Sequence, residues 1–285
     1  MSQMISVPET NIARNRYGIE PNTEMDQHFM IDEAVINKMV GLGEIDSYDC
    51  ILEVGAGYGN LTRKLAERGP QVVYALERDE RLAEILRREI TRYKNVQVME
   101  CDAVETVWPE AEKLIANPPY RISEPLLQKV FRGRFNLAVL TFPKPLVDRL
   151  TTSSNDEKYT KLSLMVNSMY NISVECVLPP STFSPQPRVY SALVRFTPRN
   201  AADFETYFVR SLFLQSDKKF KNALREAFIQ YCSDIKKTRL TQRESREIIS
   251  KLDVNPELLE LDISQISLKD IQELIASIIS TGVML

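Results

Sequence analysis

The stretch Cys50-Ile-Leu-Glu53-Val-Gly55-Ala-Gly57-Tyr-Gly59 decides the fold. It opens as an apolar run of strand length, which alternate glycines then break. The amphipathic stretch from Leu61 to Gly69 that follows reads as a helix ended by its glycine. A strand, a tight glycine turn and a helix, in that order, present backbone N–H groups to a ligand at a helix N-terminus. The spacing is GxGxG rather than the GxGxxG of dinucleotide sites, which leaves an NAD-dependent dehydrogenase as an outsider. Roughly 20 residues on, Glu77 ends the next apolar run, where a carboxylate can accept both hydroxyls of an adenosine ribose.

Outward from this motif the alternation repeats. Asp32–Gly43 carries a helical pattern, and Asp79–Tyr93 reads as a helix capped by Asp79. Val96–Glu100, Lys113–Ala116 and Asn136–Phe142 read as further strands. Strands alternating with helices predict an α/β fold with a doubly wound, Rossmann-like sheet, mostly parallel. After Asp148 the pattern changes. Asn171–Leu178 and Arg188–Phe196 are β-rich runs around a proline-dense loop, expected as antiparallel strands at the sheet edge. Past Pro198, the runs starting at Glu205, Lys221, Ser245 and Ser267 read as helices, the last with a capping-box-like Ser-x-x-Asp. The expected organisation is a loose segment over residues 1–24, a cofactor-binding domain over 25–198 and a small helical domain over 199–285.

Composition limits the function. A chain of 285 residues accommodates two domains. Its net charge of -3 excludes a protein that coats nucleic acid by bulk charge, so any RNA contact needs local basic patches. Cys50, Cys101, Cys176 and Cys232 are far apart and form no CxxC pair, as fits a reducing cytosol. The single histidine, His28, excludes a multi-histidine metal cluster and argues against a Ser-His-Asp site, so no metal is expected. No apolar run reaches the length of a membrane span and the N-terminus lacks a signal-peptide core. A soluble, cytoplasmic protein with no membrane partner is expected.

The reaction is suggested by Asn117-Pro118-Pro119-Tyr120, directly after the strand Lys113–Ala116. Two prolines fix φ and remove two donors, leaving a rigid turn rich in acceptors. An amine conjugated to a planar ring is a poor nucleophile, because its lone pair is delocalised. If the Asn117 side-chain oxygen and the Pro118 carbonyl accept its protons, the nitrogen can pyramidalise and aim its lone pair at an electrophilic methyl. A sulfonium methyl is already activated, so positioning and acceptor dipoles suffice without a histidine base. Tyr120 offers a ring to stack on a target base. Asp102, after Val96–Glu100, sits where a carboxylate can take an adenine amine; the plain alternatives are a structural turn and a loop cap.

With these motifs in this order, the chain resembles the rRNA adenine N6-dimethyltransferases of the KsgA type, from about Asp26 to Ala227 and more weakly beyond. Asp26–Asp32 resembles the family's N-terminal cofactor motif, in which the residue at Gln27, beside His28, contacts the methionine end of the cofactor. Glu53, Gly55, Gly57 and Gly59 match its glycine loop, Glu77 with Arg78 its ribose carboxylate, and Asp102 with Ala103 its adenine-binding position. Tyr159–Ser163 resembles a helix-opening motif, and Phe220-Lys-Asn-Ala-Leu the start of the C-terminal helical domain. Phe183-Ser-Pro185-Gln-Pro187-Arg-Val189-Tyr-Ser191-Ala resembles the FxPxPxVxSA signature, whose Phe stacks on the target adenine opposite the tyrosine. An exposed Phe183 and Tyr120 would clamp a flipped-out base, at about 1–3 kcal/mol per stacked base; the bland alternative for Phe183 is a plug beneath its loop.

The resemblance implies a class I methyltransferase with S-adenosyl-L-methionine as cofactor. It also implies adenine N6 of small-subunit rRNA as target, the pre-ribosomal small subunit as partner, and a monomer. Two departures are Pro118, where the family has Leu or Ile, so that the number of methyls stays open, and the stretch Gln215-Ser-Asp217-Lys-Lys, less arginine-rich than an rRNA binder implies. Phosphate contacts are expected from Arg121, Lys129, Arg132 and Arg134. A second group runs through Lys218, Lys219, Lys221, Arg225, Lys236, Lys237, Arg239, Arg243 and Arg246; a solvated helix face is the alternative for each group. Two other functions stay open: a divergent paralogue placing one methyl on another RNA adenine or a protein glutamine, and a non-catalytic RNA-binding assembly factor.

Overall fold

The computed structural model describes Gly18 and residues 26–132, 135–154, 156–199, 204–215, 218–252 and 254–282. The segment expected to be loose, residues 1–24, lies outside these apart from Gly18. Chain contacts divide the protein into two compact units. One holds the chain up to Asp148 together with Asn171–Pro198, and the other holds Arg149–Tyr170 and Arg199–Leu285.

In the first unit, β1 (Phe29–Met30) and α1 (Glu33–Leu42) precede the chain of the opening motif, β2 (Cys50–Val54) and α2 (Asn60–Ala66). Then come β3 (Val72–Glu77), α3 (Glu80–Glu89), β4 (Val96–Glu100), β5 (Lys113–Ala116), α4 (Ser123–Arg132) and β6 (Leu137–Pro143). After α5 (Lys144–Thr151) and α6 (Lys161–Met169), the unit is completed by β7 (Tyr170–Leu178), β8 (Phe183–Ser184) and β9 (Ser191–Pro198). The main sheet has the order β4-β3-β2-β5-β6-β9-β7. β2 pairs in parallel with β3 and β5, as β3 does with β4 and β5 with β6, whereas β9 runs antiparallel to β6. The Rossmann-like, mostly parallel sheet with an antiparallel edge is therefore present.

The core follows from composition. Ile51, Leu52, Val73, Ile115 and Val139 are fully buried on the central strands, as expected of strands covered on both faces. The strand order reverses between β2 and β5, and such a switch point opens a crevice at the carboxyl ends of those strands. The helix α4 is absent from the sequence-based expectation, which treats Arg121–Arg134 as a group of charges. Its Leu126, Leu127, Val130 and Phe131 form a buried stripe at helical spacing.

The sequence pattern places residues 149–170 with the first domain, but in the structure they cluster with the second unit. Polar anchors explain this. Ser163 Oγ donates to the Arg149 carbonyl at 2.7 Å, Arg199 N–H to the Met169 carbonyl at 2.8 Å, and Lys161 Nζ to the Ile266 carbonyl at 2.8 Å. The remaining helices are α7 (Phe204–Phe213), α8 (Phe220–Asp234), α9 (Gln242–Ser250) and α10 (Leu268–Thr281). Phe208, Phe220, Leu224, Phe228 and Ile271 fill their core. The helix expected from Ser245 begins earlier, at Gln242, because Thr241 and Glu244 form a capping box. Ser267 and Asp270 form another at the start of α10.

Candidate active site

The glycine loop and the Asn-Pro-Pro-Tyr turn meet at the switch point. Gly55, Gly57 and Gly59 have φ of 75°, 58° and 92°, in the left-handed region that side chains rarely adopt. A Cβ on Gly55 would lie 2.8 Å from Pro119 Cδ, and one on Gly57 would lie 3.1 Å from the Phe29 ring. Glycine therefore lets loop and turn approach to contact distance. Beside them lies an open cleft at the carboxyl ends of the strands. It is lined by Gln27, His28, Gly55, Gly57, Glu77, Arg78, Asp102, Ala103, Asn117 and Arg121, among others.

At one end of the cleft, Glu77 is buried and burial raises its carboxyl pKa, against the lowering effect of backbone donors. Its oxygens accept from Gly57 N–H at 2.7 Å and Asp79 N–H at 2.9 Å. The Arg78 backbone also donates to this carboxyl, and a carboxylate offers about four acceptor sites, so acceptor capacity remains for a hydroxyl. Asp102 accepts from Val104 N–H at 2.8 Å and pairs with Arg78 at 3.0 Å. That pair is solvent-exposed on the Arg78 side, so a ligand amine can compete for it at small cost. Gln27 also faces the cleft, but its amide nitrogen donates to Asp79 at 3.1 Å, so its role includes bracing the cap of α3.

At the other end, Asn117 is oriented from two sides. Its Nδ2 donates to the His28 carbonyl at 3.0 Å, and its Oδ1 accepts from Thr141 Oγ1. The amide orientation is therefore set, and Oδ1 keeps a second lone pair. His28 reaches further. Its ring nitrogen Nδ1 contacts the Pro185 carbonyl at 2.8 Å, and its ring lies 5.4 Å from that of Tyr120. The Tyr120 hydroxyl meets Ser191 Oγ, while burial raises its pKa.

One expectation needs correction. Phe183 is only 1% exposed and packs in the core with Met30, Ile36 and Leu178, because β8 pairs with β1 (Met30 opposite Phe183). It meets Tyr120 edge-on at 6.5 Å and 80°. The ring is the plug beneath its loop, not a free face of a parallel clamp.

The basic residues also separate. Lys129 donates to the carbonyls of Ala103, Val104 and Thr106 and lies 4.8 Å from the Trp108 ring. Burial lowers its pKa, and its role is to close the loop after β4 rather than to meet phosphate. Arg121 is exposed at the cleft. Arg132 ends α4, and Arg134 lies outside the described residues.

Comparison with known proteins gives the family. The profile of the ribosomal RNA adenine dimethylase family matches residues 19–258. The chain belongs to that family. It is 36% identical over 214 residues to a probable ribosomal RNA small subunit methyltransferase A of Pyrococcus abyssi, covering 75% of this chain and 79% of the relative. A protein of the same name from Methanopyrus kandleri is 34% identical over 257 residues, covering 87% and 90%. The crystal structure of a dimethyladenosine transferase from Plasmodium falciparum superposes with a TM-score of 0.61 at 25% identity, covering 90% of this chain and 98% of that one. That of the 23S rRNA methyltransferase ErmE gives 0.55 at 20%, covering 88% and 99%, a likeness of fold.

As a member of the ribosomal RNA adenine dimethylase family, the chain is an S-adenosylmethionine-dependent RNA adenine methyltransferase with RNA as its substrate. The residues present fit that cofactor. Glu53 is 1% exposed, its Oε2 has no hydrogen-bond partner among the described residues, and burial pushes its carboxyl pKa up to about 8. It lines a recess that shares Phe29, Gly55 and Asn117 with the main cleft, where an ammonium group would satisfy it.

Thr141 is the site residue that the sequence reading misses. Its signal is a lone hydroxyl in the apolar run Leu137–Pro143, one strand over from the reactive turn. Thr141→Val is expected to lower kcat by about tenfold, the worth of one hydrogen bond, and Thr141→Ser to restore it. Calorimetry should find cofactor affinity unchanged in both. A Val variant with full kcat would show that Asn117 holds its orientation without the hydroxyl.

Proposed function

We propose that the enzyme methylates N6 of adenine in small-subunit rRNA, twice per target base, during maturation of the subunit. The observation that carries this reading is the fixed Asn117 amide, whose Oδ1 has a second lone pair to offer. S-adenosylmethionine supplies an electrophilic methyl on sulfur. Asn117 Oδ1 and the Pro118 carbonyl accept the amine protons, and the nitrogen lone pair is thereby freed for attack in line with the methyl. Tyr120, held by Ser191, forms the floor beneath the base. After transfer, the cationic nitrogen loses its proton to water, so no side-chain base is required. A second round needs only one acceptor, because a monomethylated amine has a single proton left.

The glycine loop and Glu77, with Asp102, hold the cofactor, while Gln27, His28 and Glu53 serve its methionine end. Arg121, Arg132, Arg134, Lys218, Lys219 and Lys221 contact phosphate. We read the enzyme as a monomer that acts in the cytoplasm, where small-subunit rRNA would be its target. The names of the archaeal relatives support the small-subunit target.

The test uses unmodified small subunits and a tritiated-methyl cofactor, followed by nucleoside analysis. The expected product is N6,N6-dimethyladenosine. A product that stops at one methyl would trace to stiffening of the pocket by the buried Pro118. Absence of label in RNA would overturn the reading.

A further inference from the structure

A glutamate within Cys50–Val54 is out of keeping with a strand covered on both faces, where acids are almost never fully buried unless paired. Ile51, Leu52 and Val54 around it are buried, and in the parallel ladder Glu53 lies opposite Ala75 of β3. Its side chain meets the recess lined by Phe29, Met30, Gly55, Tyr58, Asn60 and Asn117, none of which carries a positive charge. The amides there are already engaged. Asn60 Nδ2 donates to the Met30 carbonyl at 2.9 Å, and Asn117 Nδ2 donates to the His28 carbonyl at 3.0 Å. Glu53 Oε2 is left buried without a donor among the described residues.

The charged or titratable groups on the elements around it are Glu77 at the end of β3, Arg63 on α2, Tyr58 in the glycine loop and His28 ahead of β1. Arg63 is the permanent cation of this set, and its guanidinium is turned elsewhere. It donates to Asn60 Oδ1 at 2.8 Å and the Tyr58 carbonyl at 3.2 Å, and it pairs with Glu89 at 3.4 Å. His28 Nδ1 contacts the Pro185 carbonyl at 2.8 Å. Burial drives the Glu53 carboxyl up to about 8; Thr62 and Arg63 oppose the rise, and Glu77 adds to it. An ionised carboxylate in such surroundings costs so much that the group keeps its proton instead.

We propose that Glu53 holds a proton while the site is empty and gives it up when the ammonium group of the cofactor enters the recess, so that cofactor binding releases a proton. The proposal rests on the assignment of Glu53 to the methionine end of the cofactor. The carboxylic acid loses its proton to solvent, and the carboxylate that remains pairs with the ammonium by a charge-assisted hydrogen bond. An opposite charge at contact distance favours the ionised form, which reverses the effect of burial. By linkage, affinity rises with pH wherever the empty site still holds the proton and the loaded site does not. S-adenosylhomocysteine keeps the same ammonium group, so departure of the product takes a proton up again. The empty strand thus carries no buried charge, and the ion forms only when its partner is present.

Calorimetric titration of the full chain with S-adenosylhomocysteine, in buffers of different ionisation enthalpy, counts the protons. Below about pH 7.5, where an α-amino group is still charged, release should approach one proton and affinity should rise by up to about tenfold per pH unit. Glu53→Gln copies the protonated form; it should bind more weakly and release no proton. His28 and Glu77 remain in that variant, so release that persists in it would overturn the proposal, as would absence of release from the unaltered chain. Methylthioadenosine, which keeps the adenosine and lacks the ammonium, should bind without release; equal release from it would overturn the proposal too. Thermal unfolding without ligand gives a second measurement. A carboxyl raised to about 8 in the fold binds its proton more tightly there than in the unfolded chain, at about 4.3, so it loses stability as pH rises between those values. The Tm of the unaltered chain should therefore fall relative to that of Glu53→Gln across this window, and parallel curves would overturn the proposal. Failure of the functional reading looks different: S-adenosylhomocysteine would then not bind at all, and the proposal would fall with it.

Discussion

Asn117→Ala is expected to lower kcat for methyl transfer by about 10²–10³-fold, equivalent to roughly 3–4 kcal/mol of transition-state stabilisation. Cofactor affinity should stay within a few-fold, because in the proposed assignment Glu77 and Asp102 hold a different part of the ligand. The size follows from the chemistry. The amine becomes nucleophilic only as its lone pair leaves conjugation, and the acceptor proposed to favour this is Asn117 Oδ1, oriented by Thr141 and the His28 carbonyl. Removing the amide also leaves the His28 carbonyl without its donor. Asn117→Asp separates the effects, since it keeps the acceptors and loses the donor to His28. Single-turnover kinetics with bound rRNA provides the measurement. An alanine variant within tenfold of full activity would mean that the Pro118 carbonyl alone suffices.

Gly55→Ala carries the other large effect, and it acts on stability and cofactor binding together. The left-handed φ of 75° costs a side chain about 1–2 kcal/mol. The new Cβ would also meet Pro119 Cδ at 2.8 Å, and overpacking of this kind costs about 1–3 kcal/mol more. A ring on the reactive turn cannot yield as a flexible side chain would, so the turn itself must move. The expected outcome is a Tm lowered by several degrees, cofactor affinity reduced by more than about a hundredfold, and no measurable transfer. Thermal unfolding and calorimetry read the two effects separately. Unchanged cofactor affinity would show that the loop and turn adjust independently.

Much of the cofactor half of the site is legible in the sequence, because its parts lie close together along the chain. A strand, a left-handed glycine turn and a helix N-terminus follow one another within Cys50–Ala66, and each is dictated by residues a few positions apart. Glu77 is legible for the same reason: it ends the adjacent strand, and parallel pairing places Leu76 opposite Val54, beside the glycine loop. The helix α4 is obscured because its cations draw attention away from an apolar stripe that is equally visible.

What cannot be read locally depends on residues distant in the chain. Phe183 sits in a proline-stiffened loop that looks suited to display a ring. Its pairing with Met30, more than 150 positions away, turns the ring into the core instead. Thr141 reaches Asn117 only because β5 and β6 lie side by side. Lys129 resembles a phosphate contact until the loop carbonyls it binds are known. The glycine loop quoted first thus needs its own residues alone to announce a cofactor site, since φ preference and helix-end donors are local properties. Its place against Pro119 is settled by the strand order, which brings β5 beside β2 across two intervening strands of sequence and closes loop on turn.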